Sequence, residues 1–572
     1  MTIGKNLPPP FPRRIVPKGA DLGDWSQVEP LFDLLDRANP TTAAAIESWF
    51  LDFNDLVSAL SEEGSIREIL MTCHTDDPAC EKRHLQFVEE IEPRAKPRWQ
   101  KLREKYTGLP AAADLPRPRY FVLDRSIKNE VALFRPENVP LEKDEEKLGV
   151  AYQKLTGAMT VRFQGEERTL QQMAKFYDLT DRPVRQEAWS LAANRRLQDR
   201  EALDDLFDRM LKLRQQEAGN AGFGDYRAYA FRRRERFDYG VDECLQFHRA
   251  VEKVAVPLFR RIQERRKKTL GLDPLRPWDL AVDPEGRPPL RPFQKVAQLV
   301  KGSVEILTRV HPDFGKVLVF LYNHDLLDLD SRKGKAPGGY QAVLSELRLP
   351  FIFMNAVGLQ GDVGTLLHES GHSVHSMECR QEPLVAYRGA GPEFSEVASM
   401  SMEHLGMEHY EVFYGPAEAN RARIRELEDD IWILCWIAWV DAFQHWVYTH
   451  PGHSVAERQG AWLDLHRRFG GIEDWTGFED AQKNNWHRQL HIFLIPFYYV
   501  EYGIALLGAL QVWQAVQKDH NSGIAAFRRG LALGGSRPLP ELFQAAGMRF
   551  DFSEQTLAPL VAMVQKKLGM EE

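Results

Sequence analysis

The sequence predicts a mainly α-helical protein that carries a small β-sheet. Apolar residues recur at helical spacing over long stretches, as in Arg185–Ala218 and Arg421–Tyr448, whereas strand signals are short. The chain has 572 residues, of which 43% are hydrophobic. It can therefore bury an ample core, and its length allows two to four domains.

The first half of the chain is divided by segments that break helices. A proline-rich stretch covers Leu109–Pro118, and a segment rich in proline and glycine covers Gly271–Pro292. Between these two segments we expect a short β-hairpin around Gly165. The sequence contains no internal repeat and no low-complexity tract, so a repeat architecture is excluded.

Strand structure is expected in the segment 340–355. It alternates weakly and ends in the run Pro350–Asn355, which follows a turn signal. An exposed edge strand here would pair with an extended peptide through main-chain hydrogen bonds. The preceding pair Gly338 and Gly339 fits either a loop that closes over such a peptide or a plain structural turn.

The next segment carries the most informative motif. His368, Glu369 and His372 form an HExxH pentapeptide, in a helix expected from about Val363 with Asp362 as its N-cap. Histidines four apart on a helix share one face and lie about 6 Å apart along the axis, so both imidazoles can hold one Zn²⁺. The glutamate beside the first histidine is then in place to take a proton from a zinc-bound water.

The rest of this helix supports the motif. Gly371 in mid-helix costs about 1 kcal/mol relative to alanine, which indicates that another element packs closely there. A helix with one apolar and one metal-binding face is anchored in a core while it lines a cleft. The apolar stripe opposite the histidines comprises Val363, Leu366, Leu367, Val374 and Met377.

A third metal ligand is expected from a second helix, which Pro392 opens. Three protein ligands and a water are the arrangement of a catalytic zinc site. Glu396 and Glu403 are seven residues apart and share a helix face, so one would bind the metal while the other orients a ligand histidine. Glu378 and Glu393 are the alternative carboxylates.

Taken together, these motifs resemble the thimet oligopeptidase and oligoendopeptidase F family, especially its Pz-peptidase-like bacterial branch. The resemblance covers most of the chain, from about Met71 to Ser536. The segments that carry it are HESGHSVH at 368–375, EVASMSME at 396–403, the glycine-rich stretch 334–340, and the stretches 491–493 and 496–499.

The resemblance implies a two-lobed, zincin-type molecule with a deep channel, one Zn²⁺ per chain, and cleavage of short peptides but not of folded proteins. It implies that His368, His372 and Glu396 are the zinc ligands and that Glu369 is the general base. It also implies that a C-terminal histidine, His491, acts near the scissile carbonyl together with tyrosines.

The tyrosines that match the family are Tyr499 and Tyr502, with Tyr498 as an alternative because the spacing from the histidine varies within the family. A phenol O–H near the developing oxyanion would lower the barrier by a few kcal/mol. Tyr498 and Tyr502 share a helix face, whereas Tyr499 lies about 100° away. The alternative interpretation is a tyrosine-rich stripe that belongs to the core.

We divide the chain near residue 195. Residues 1–195 are expected to form an N-terminal helical lobe, and residues 196–572 the catalytic zinc-metallopeptidase lobe. A channel between two such lobes would admit flexible peptides and exclude folded proteins.

The charge pattern argues against a nucleic-acid surface. The formal net charge is −8. The strongest basic clusters, Arg232–Arg236 and Arg265–Lys268, are interrupted or flanked by acidic residues, so we interpret them as solvent-exposed faces.

The sequence also indicates a cytoplasmic protein that makes no membrane contact. Pro8–Pro12 breaks any signal-peptide pattern, and the longest apolar run, Ile431–Val440, is too short to cross a bilayer. Five cysteines in such a long chain give no disulfide framework, which fits a reducing compartment.

The leading hypothesis is a zinc-dependent endopeptidase, an oligopeptidase whose partners are oligopeptide substrates. One alternative is an exopeptidase on the same scaffold, either a carboxypeptidase or a peptidyl-dipeptidase. A less favoured alternative, from a different class, is a non-catalytic peptide-binding protein whose site has decayed.

Overall fold

The predicted helical architecture is confirmed across residues 3–571, which are the residues that the computed structural model describes. The helices of the first half are α1 (Trp25–Arg37), α2 (Ala43–Cys73), α3 (Pro78–Gln86), α4 (Glu92–Thr107), α5 (Arg117–Leu133), α6 (Asn138–Gly157), α7 (Leu170–Met173), α8 (Arg182–Gln198), α9 (Arg200–Asn220), α10 (Tyr226–Arg233) and α11 (Val241–Leu270).

The helices of the second half include the two that carry the predicted metal ligands. They are α12 (Val296–Val310), α13 (Pro312–Asn323), α14 (Gln360–Glu378), α15 (Pro392–Met407), α16 (Pro416–Thr449), α17 (Val455–Phe469), α18 (Glu479–Lys483), α19 (Leu490–Leu494), α20 (Tyr499–Lys518), α21 (His520–Ala532), α22 (Leu539–Ala545) and α23 (Glu554–Lys567). A π-helical turn, Phe87–Ile91, links α3 to α4.

Within residues 3–571, two small sheets accompany the helices. The predicted hairpin around Gly165 is confirmed as β1 (Thr160–Phe163) paired antiparallel with β2 (Glu166–Thr169). The second sheet contains β3 (Leu327–Asp330), β4 (Tyr340–Leu344) and β5 (Leu349–Ala356) in the order β3-β5-β4. β5 is central, parallel to β3 and antiparallel to β4. The strand signal in 340–355 is therefore a hairpin, and its edge strand is β4.

The described residues form two compact units, each built from three separate segments. The first unit contains the chain up to Ala132 together with Arg291–Arg423 and Gly508–Phe550, and the second contains Leu133–Leu290, Ile424–Leu507 and the chain from Asp551 onward. Both units draw on residues from either side of position 195. The division into lobes 1–195 and 196–572 stays a prediction.

Aromatic side chains fill the core at the N-terminal end of the first unit. The buried rings there are Phe32, Trp49, Phe50, Tyr106, Tyr120 and Tyr387. Tyr387 lies between α14 and α15, and its hydroxyl donates to the Arg119 carbonyl at 2.7 Å. This contact fixes the connection between the two helices against α5.

One long helical pattern is interrupted. The expected stretch Arg185–Ala218 forms α8 and α9, which meet at Asp199, where the main chain has φ −103° and ψ 11°. Asp199 also pairs with Arg195 one turn earlier. Within residues 3–571, no helix combines the length and apolar character needed to cross a membrane.

Candidate metal centre

The helix α14 is anchored by the apolar face that the sequence predicts. Val363, Leu366, Leu367 and Val374 are each at most 1% exposed, and Met377 is half-buried. α14 packs on β5 and on α15 within the first unit. The opposite face carries His368 and His372, which remain partly exposed.

The start of α14 differs from the prediction. The helix begins at Gln360, so Asp362 lies inside its first turn and not at the N-cap. Its Oδ2 accepts hydrogen bonds from the main-chain nitrogens of Val357, Gly358 and Leu359, each at 2.8 Å. The carboxylate thus stabilises the turn between β5 and α14 through these three hydrogen bonds. Its negative charge is also favourable at the positive N-terminal end of the helix dipole.

The close packing predicted at Gly371 is confirmed. A Cβ built there would lie 2.6 Å from the Ala398 carbonyl oxygen and 2.6 Å from Ser399 Cα, both main-chain atoms of α15. Only glycine allows the two helices to approach so closely. This approach brings the side chain of Glu396 to the histidine face of α14.

Three side chains of the first unit converge on one point. His368 Nε2 is 3.4 Å and His372 Nε2 is 3.7 Å from Glu396 Oε2. The three ligand atoms lie within 4.8 Å of one another. Ligands at about 2.0–2.2 Å from a tetrahedral zinc ion stand roughly 3.3–3.6 Å apart, and the two distances to Glu396 are close to this spacing.

Glu403 contacts the other nitrogen of the first histidine. Its Oε1 is 2.7 Å from His368 Nδ1. Because a carboxylate only accepts hydrogen bonds, Glu403 holds a proton on Nδ1. A metal ion that displaces the second proton of the ring would therefore be bound through Nε2, the nitrogen that faces Glu396.

The electrostatics of the cluster favour a bound cation. Burial lowers the pKa of His368, but Glu396 and Glu403 more than offset this, and the pKa is raised well above its usual value. Burial and the neighbouring His368 lower the pKa of His372 to about 4, which leaves its lone pair free at neutral pH. Burial alone would raise the pKa of Glu396, yet its contacts with both histidines lower it.

Glu369 is buried beside this cluster. Burial raises the pKa of its carboxyl to about 7, against the lowering effect of His368. The main-chain N–H of Gln341, on the edge strand β4, also lowers this pKa. A base whose pKa lies near the operating pH is matched to proton transfer.

The loop before β4 is tied to the sheet. Asn355 Nδ2 donates to the carbonyl oxygens of Ala336 and Gly338, each at 2.9 Å. The fully buried amine of Lys335 donates to the carbonyl oxygens of Asp328 and Asp330, also at 2.9 Å. The closing role suggested for the glycine pair stays a prediction.

The alternative carboxylates lie elsewhere in the first unit. Glu378 accepts a hydrogen bond from Arg528 Nε at 2.7 Å. Glu393 is buried in the first turn of α15 and is outside the group that converges with the two histidines. Among these carboxylates the geometry favours Glu396.

His491 and the three tyrosines form a cluster in the second unit. The His491 ring centroid is 5.8 Å from that of Tyr498, 5.0 Å from that of Tyr499 and 5.8 Å from that of Tyr502. All three tyrosines therefore surround the histidine, although α20 begins only at Tyr499. The roles that the family resemblance gives to these residues stay predictions.

The interpretation of Arg232–Arg236 as a solvent-exposed face is wrong in part. Arg236 is buried, and it donates to Glu501 at 2.9 Å and to the Phe497 carbonyl. Arg234 donates to the Pro496 carbonyl at 2.8 Å. Phe497 has a φ of +63°, a left-handed conformation that these contacts hold in place. The two arginines thus fix the turn that leads into the tyrosine cluster.

A second group of side chains with metal-binding atoms lies in the core of the second unit. It comprises Cys244, Asp441 and His445. His248 Nε2 is 2.8 Å and His445 Nε2 is 3.3 Å from Asp441 Oδ2, while Arg227 Nη1 contacts His445 Nδ1 at 3.5 Å. Because arginine only donates, His445 Nδ1 accepts from it and Nε2 is the nitrogen that faces the carboxylate. We therefore interpret this group as a buried carboxylate with two histidines and not as a metal site.

Comparison with known proteins adds an independent observation. Residues 176–561 match the family described as Peptidase family M3. An oligoendopeptidase F homolog of Lactococcus lactis subsp. lactis is 23% identical over 342 residues, which are 54% of this chain and 53% of that protein. Oligopeptidase PepF of Bacillus subtilis is 24% identical over 331 residues, which are 55% of this chain and 47% of that protein.

A solved structure is similar over nearly the full length. The structure of Pz peptidase A with inhibitor 2 superposes with a TM-score of 0.88 and 26% identity, and the match covers 98% of this chain and 99% of that chain. In sequence, the chain spans from 24% to 53% of the length of the curated relatives it matches.

Proposed function

This chain belongs to peptidase family M3, and from that premise we propose that it is a zinc-dependent endopeptidase of short, unstructured oligopeptides. The observation that carries the proposal is the convergence of His368, His372 and Glu396 next to the buried carboxyl of Glu369. Two imidazoles and one carboxylate are the protein ligands of a catalytic zinc site that keeps a position for water.

His368, His372 and Glu396 would hold the ion. Bound there, Zn²⁺ supplies Lewis-acid polarisation of the peptide carbonyl and lowers the pKa of a bound water. Glu403 would keep a proton on His368 Nδ1, so that the ring binds the ion through Nε2 once the ion has displaced the second proton.

Glu369 moves the proton. It accepts a proton from the attacking water as the new C–O bond forms, and it returns that proton to the amide nitrogen as the C–N bond breaks. The products are a new carboxylate and a new amine. His491 and the tyrosines Tyr498, Tyr499 and Tyr502 have, in this proposal, the role of hydrogen-bond donors to the developing oxyanion.

We place the activity in the cytoplasm. The five cysteines, all within residues 3–571, are buried free thiols. Buried thiols that remain unpaired suit a reducing compartment.

The test is mass spectrometry of the products from a mixed peptide library, with and without a chelator. We expect internal cleavage of peptides blocked at both ends, loss of cleavage with the chelator, and recovery on addition of Zn²⁺. Cleavage confined to peptides with a free terminus would indicate the exopeptidase. Peptide binding by a protein that contains no stoichiometric metal and cleaves nothing would indicate the non-catalytic protein.

The role of Glu369 has its own prediction. Glu369→Gln keeps the side-chain volume and removes the base, so kcat/KM should fall by about 10³-fold or more while the zinc content is unchanged. Glu378→Gln, on the same helix but outside the ligand group, serves as the control and should retain activity. Near-normal turnover by the Glu369 variant would end the assignment.

A further inference from the structure

In the second unit, the side-chain amide of Gln489 connects a tryptophan to the candidate histidine. Trp436 Nε1 donates to Gln489 Oε1 at 3.0 Å, and Gln489 Nε2 is 2.8 Å from His491 Nδ1. Trp436 is 5% exposed in α16, and Gln489 immediately precedes α19, which carries His491. The three side chains thus form a chain that leads from the core to the histidine ring.

The donors and acceptors of this chain have a single consistent assignment. The indole nitrogen of tryptophan is a donor only, so the oxygen of the Gln489 amide must face Trp436. The amide nitrogen, which also only donates, then faces His491 Nδ1. His491 Nδ1 must therefore accept, and the proton of the neutral ring is on Nε2.

Two further observations agree with this assignment. Burial, reinforced by the nearby positive charge of Arg234, lowers the pKa of His491 to about 4, so the ring is neutral at physiological pH. Burial raises the pKa of Tyr499, while the nearby side chains of Trp436 and Gln489 oppose the shift. The ring centroid of this candidate tyrosine is 5.0 Å from that of His491.

We propose that Gln489, oriented by Trp436, is a positioning residue that keeps His491 in the tautomer with its proton on Nε2. This inference rests on the proposed function, in which His491 donates a hydrogen bond to the oxyanion. With the proton on Nδ1, the Nε2 lone pair would face the developing negative charge and repel it. The tautomer therefore decides whether the ring stabilises or opposes the transition state.

The second unit offers a matched comparison. Gln482 Nε2 is 3.0 Å from His466 Nδ1, so the local chemistry is the same. His466 Nε2, however, is 3.3 Å from the carboxylate of Glu473, and no role in peptide cleavage is assigned to it. A change at Gln482 thus alters a glutamine–histidine pair outside the proposed site.

The decisive variant is Gln489→Glu. A carboxylate accepts from both neighbours, so it keeps the Trp436 contact and draws the His491 proton to Nδ1. We would label the histidines with ¹⁵N and assign the His491 signals by their loss in His491→Asn. In the wild type the spectrum should show a protonated Nε2 and an unprotonated Nδ1. In Gln489→Glu, at a pH at which the ring carries one proton, Nδ1 should be protonated and Nε2 unprotonated.

Activity is measured on the same proteins. In Gln489→Glu, kcat should fall by about 10²-fold with a smaller change in KM, because a transition-state donor is lost. Trp436→Phe frees the amide to rotate and should give signals of both tautomers with a smaller loss of kcat. Gln482→Glu should leave kcat and the His491 signals unchanged.

Three results would overturn the proposal. They are a wild-type ring with its proton on Nδ1, a Gln489→Glu ring with an unchanged tautomer, and a changed tautomer with unchanged kcat. Wild-type protein that cleaves no peptide would instead overturn the proposed function and, with it, the positioning role, while the tautomer would still be measured.

Discussion

Glu403 fixes which ring nitrogen of His368 faces Glu396. Its carboxylate is 2.7 Å from Nδ1, while Nε2 is 3.4 Å from Glu396. Sequence spacing placed Glu396 and Glu403 on one helix face but left open which would bind the metal. The approach of Glu396 to both histidines favours Glu396 as the ligand, a choice that a seven-residue period alone does not make.

Removal of Glu403 should weaken metal binding without removing a ligand. We expect Glu403→Ala to lower zinc affinity by about 10–100-fold, because the ring then loses the partner that fixes its tautomer and orientation. Competition with a chromogenic chelator measures this directly. Glu378→Ala, at the end of the helix α14 that carries His368, breaks the pair with Arg528 and should leave the affinity unchanged. Equal affinity of the Glu403 variant and the wild type would contradict the assignment.

Glu217 predicts a pH dependence of stability away from the metal centre. Its side chain in α9 is fully buried, neither carboxylate oxygen accepts a hydrogen bond within the described residues, and Arg233 Nη1 is 3.5 Å away. Burial, reinforced by Glu145, raises its pKa to about 7, while Arg233 opposes the shift. The folded state therefore binds this proton more tightly than the unfolded chain does.

The sign of the effect follows from linkage. The contribution of Glu217 to stability is complete below its unfolded pKa, about 4.3, and is lost as pH rises towards 7. The loss should be on the order of 1–3 kcal/mol. Urea unfolding at pH 4.5 and pH 7, compared between wild type and Glu217→Gln, isolates this residue from other titrating groups. A difference between the two proteins that does not change with pH would refute the prediction.

Helix packing at Gly371 is the main element-scale feature of the candidate metal centre. The main chain of α15 fills the space that a Cβ would occupy, so the distance between α14 and α15 depends on this glycine. The sequence predicted this close packing, because glycine inside a helix is destabilising and is expected only where another element must approach closely. It did not identify the partner helix, because the contact lies 27 to 28 residues further along the chain.

Gly371→Ala should push these helices apart. We expect the free energy of unfolding to fall by about 1–3 kcal/mol, with a loss of metal affinity as Glu396 moves away from the histidines. Gly361→Ala is the control, since a Cβ in the first turn of the same helix meets no atom within 4 Å. That control should keep its metal affinity. Retained stability and affinity in Gly371→Ala would contradict the packing argument.

Periodicity and motifs predicted the elements well, and long-range pairing explains what they missed. The helical face of α14, the start of α15 at Pro392 and the hairpin around Gly165 all follow from local patterns. Arg236 was misinterpreted because its partner Glu501 lies 265 residues away in sequence. The predicted start of α14 was also wrong, since Asp362 accepts its hydrogen bonds from inside the first turn of the helix and not from the N-cap position.

At the scale of the whole molecule, the candidate metal ligands all belong to the first unit. His368, His372 and Glu396 lie on α14 and α15, whereas α11 and α23 pack together in the second unit. A bound ion stabilises the state that holds it, by about 4 kcal/mol when the free ion is at 1,000 times its Kd. Removal of the ion should therefore destabilise the helices that hold it more than the helices of the second unit.

Hydrogen exchange with and without a chelator tests this expectation. Amides of α14 and α15 should exchange faster when the metal is removed, while those of α11 and α23 should change little. Mass spectrometry of peptic fragments resolves the four helices. Equal acceleration in all four helices, or none in α14, would show that the ion is bound elsewhere.

The arrangement of each unit from three separate segments has a consequence for biosynthesis. In the first unit, α21 and α22 pack against α14 and α15, and the Phe394 and Phe543 rings are 5.8 Å apart. The helices that carry the candidate ligands therefore leave the ribosome well before the segment that covers them. Until about residue 545 has been translated, their apolar surface stays open to water and to other nascent chains. Truncated chains that end before α21 should aggregate or recruit chaperones, since each unit lacks its last segment until late in translation.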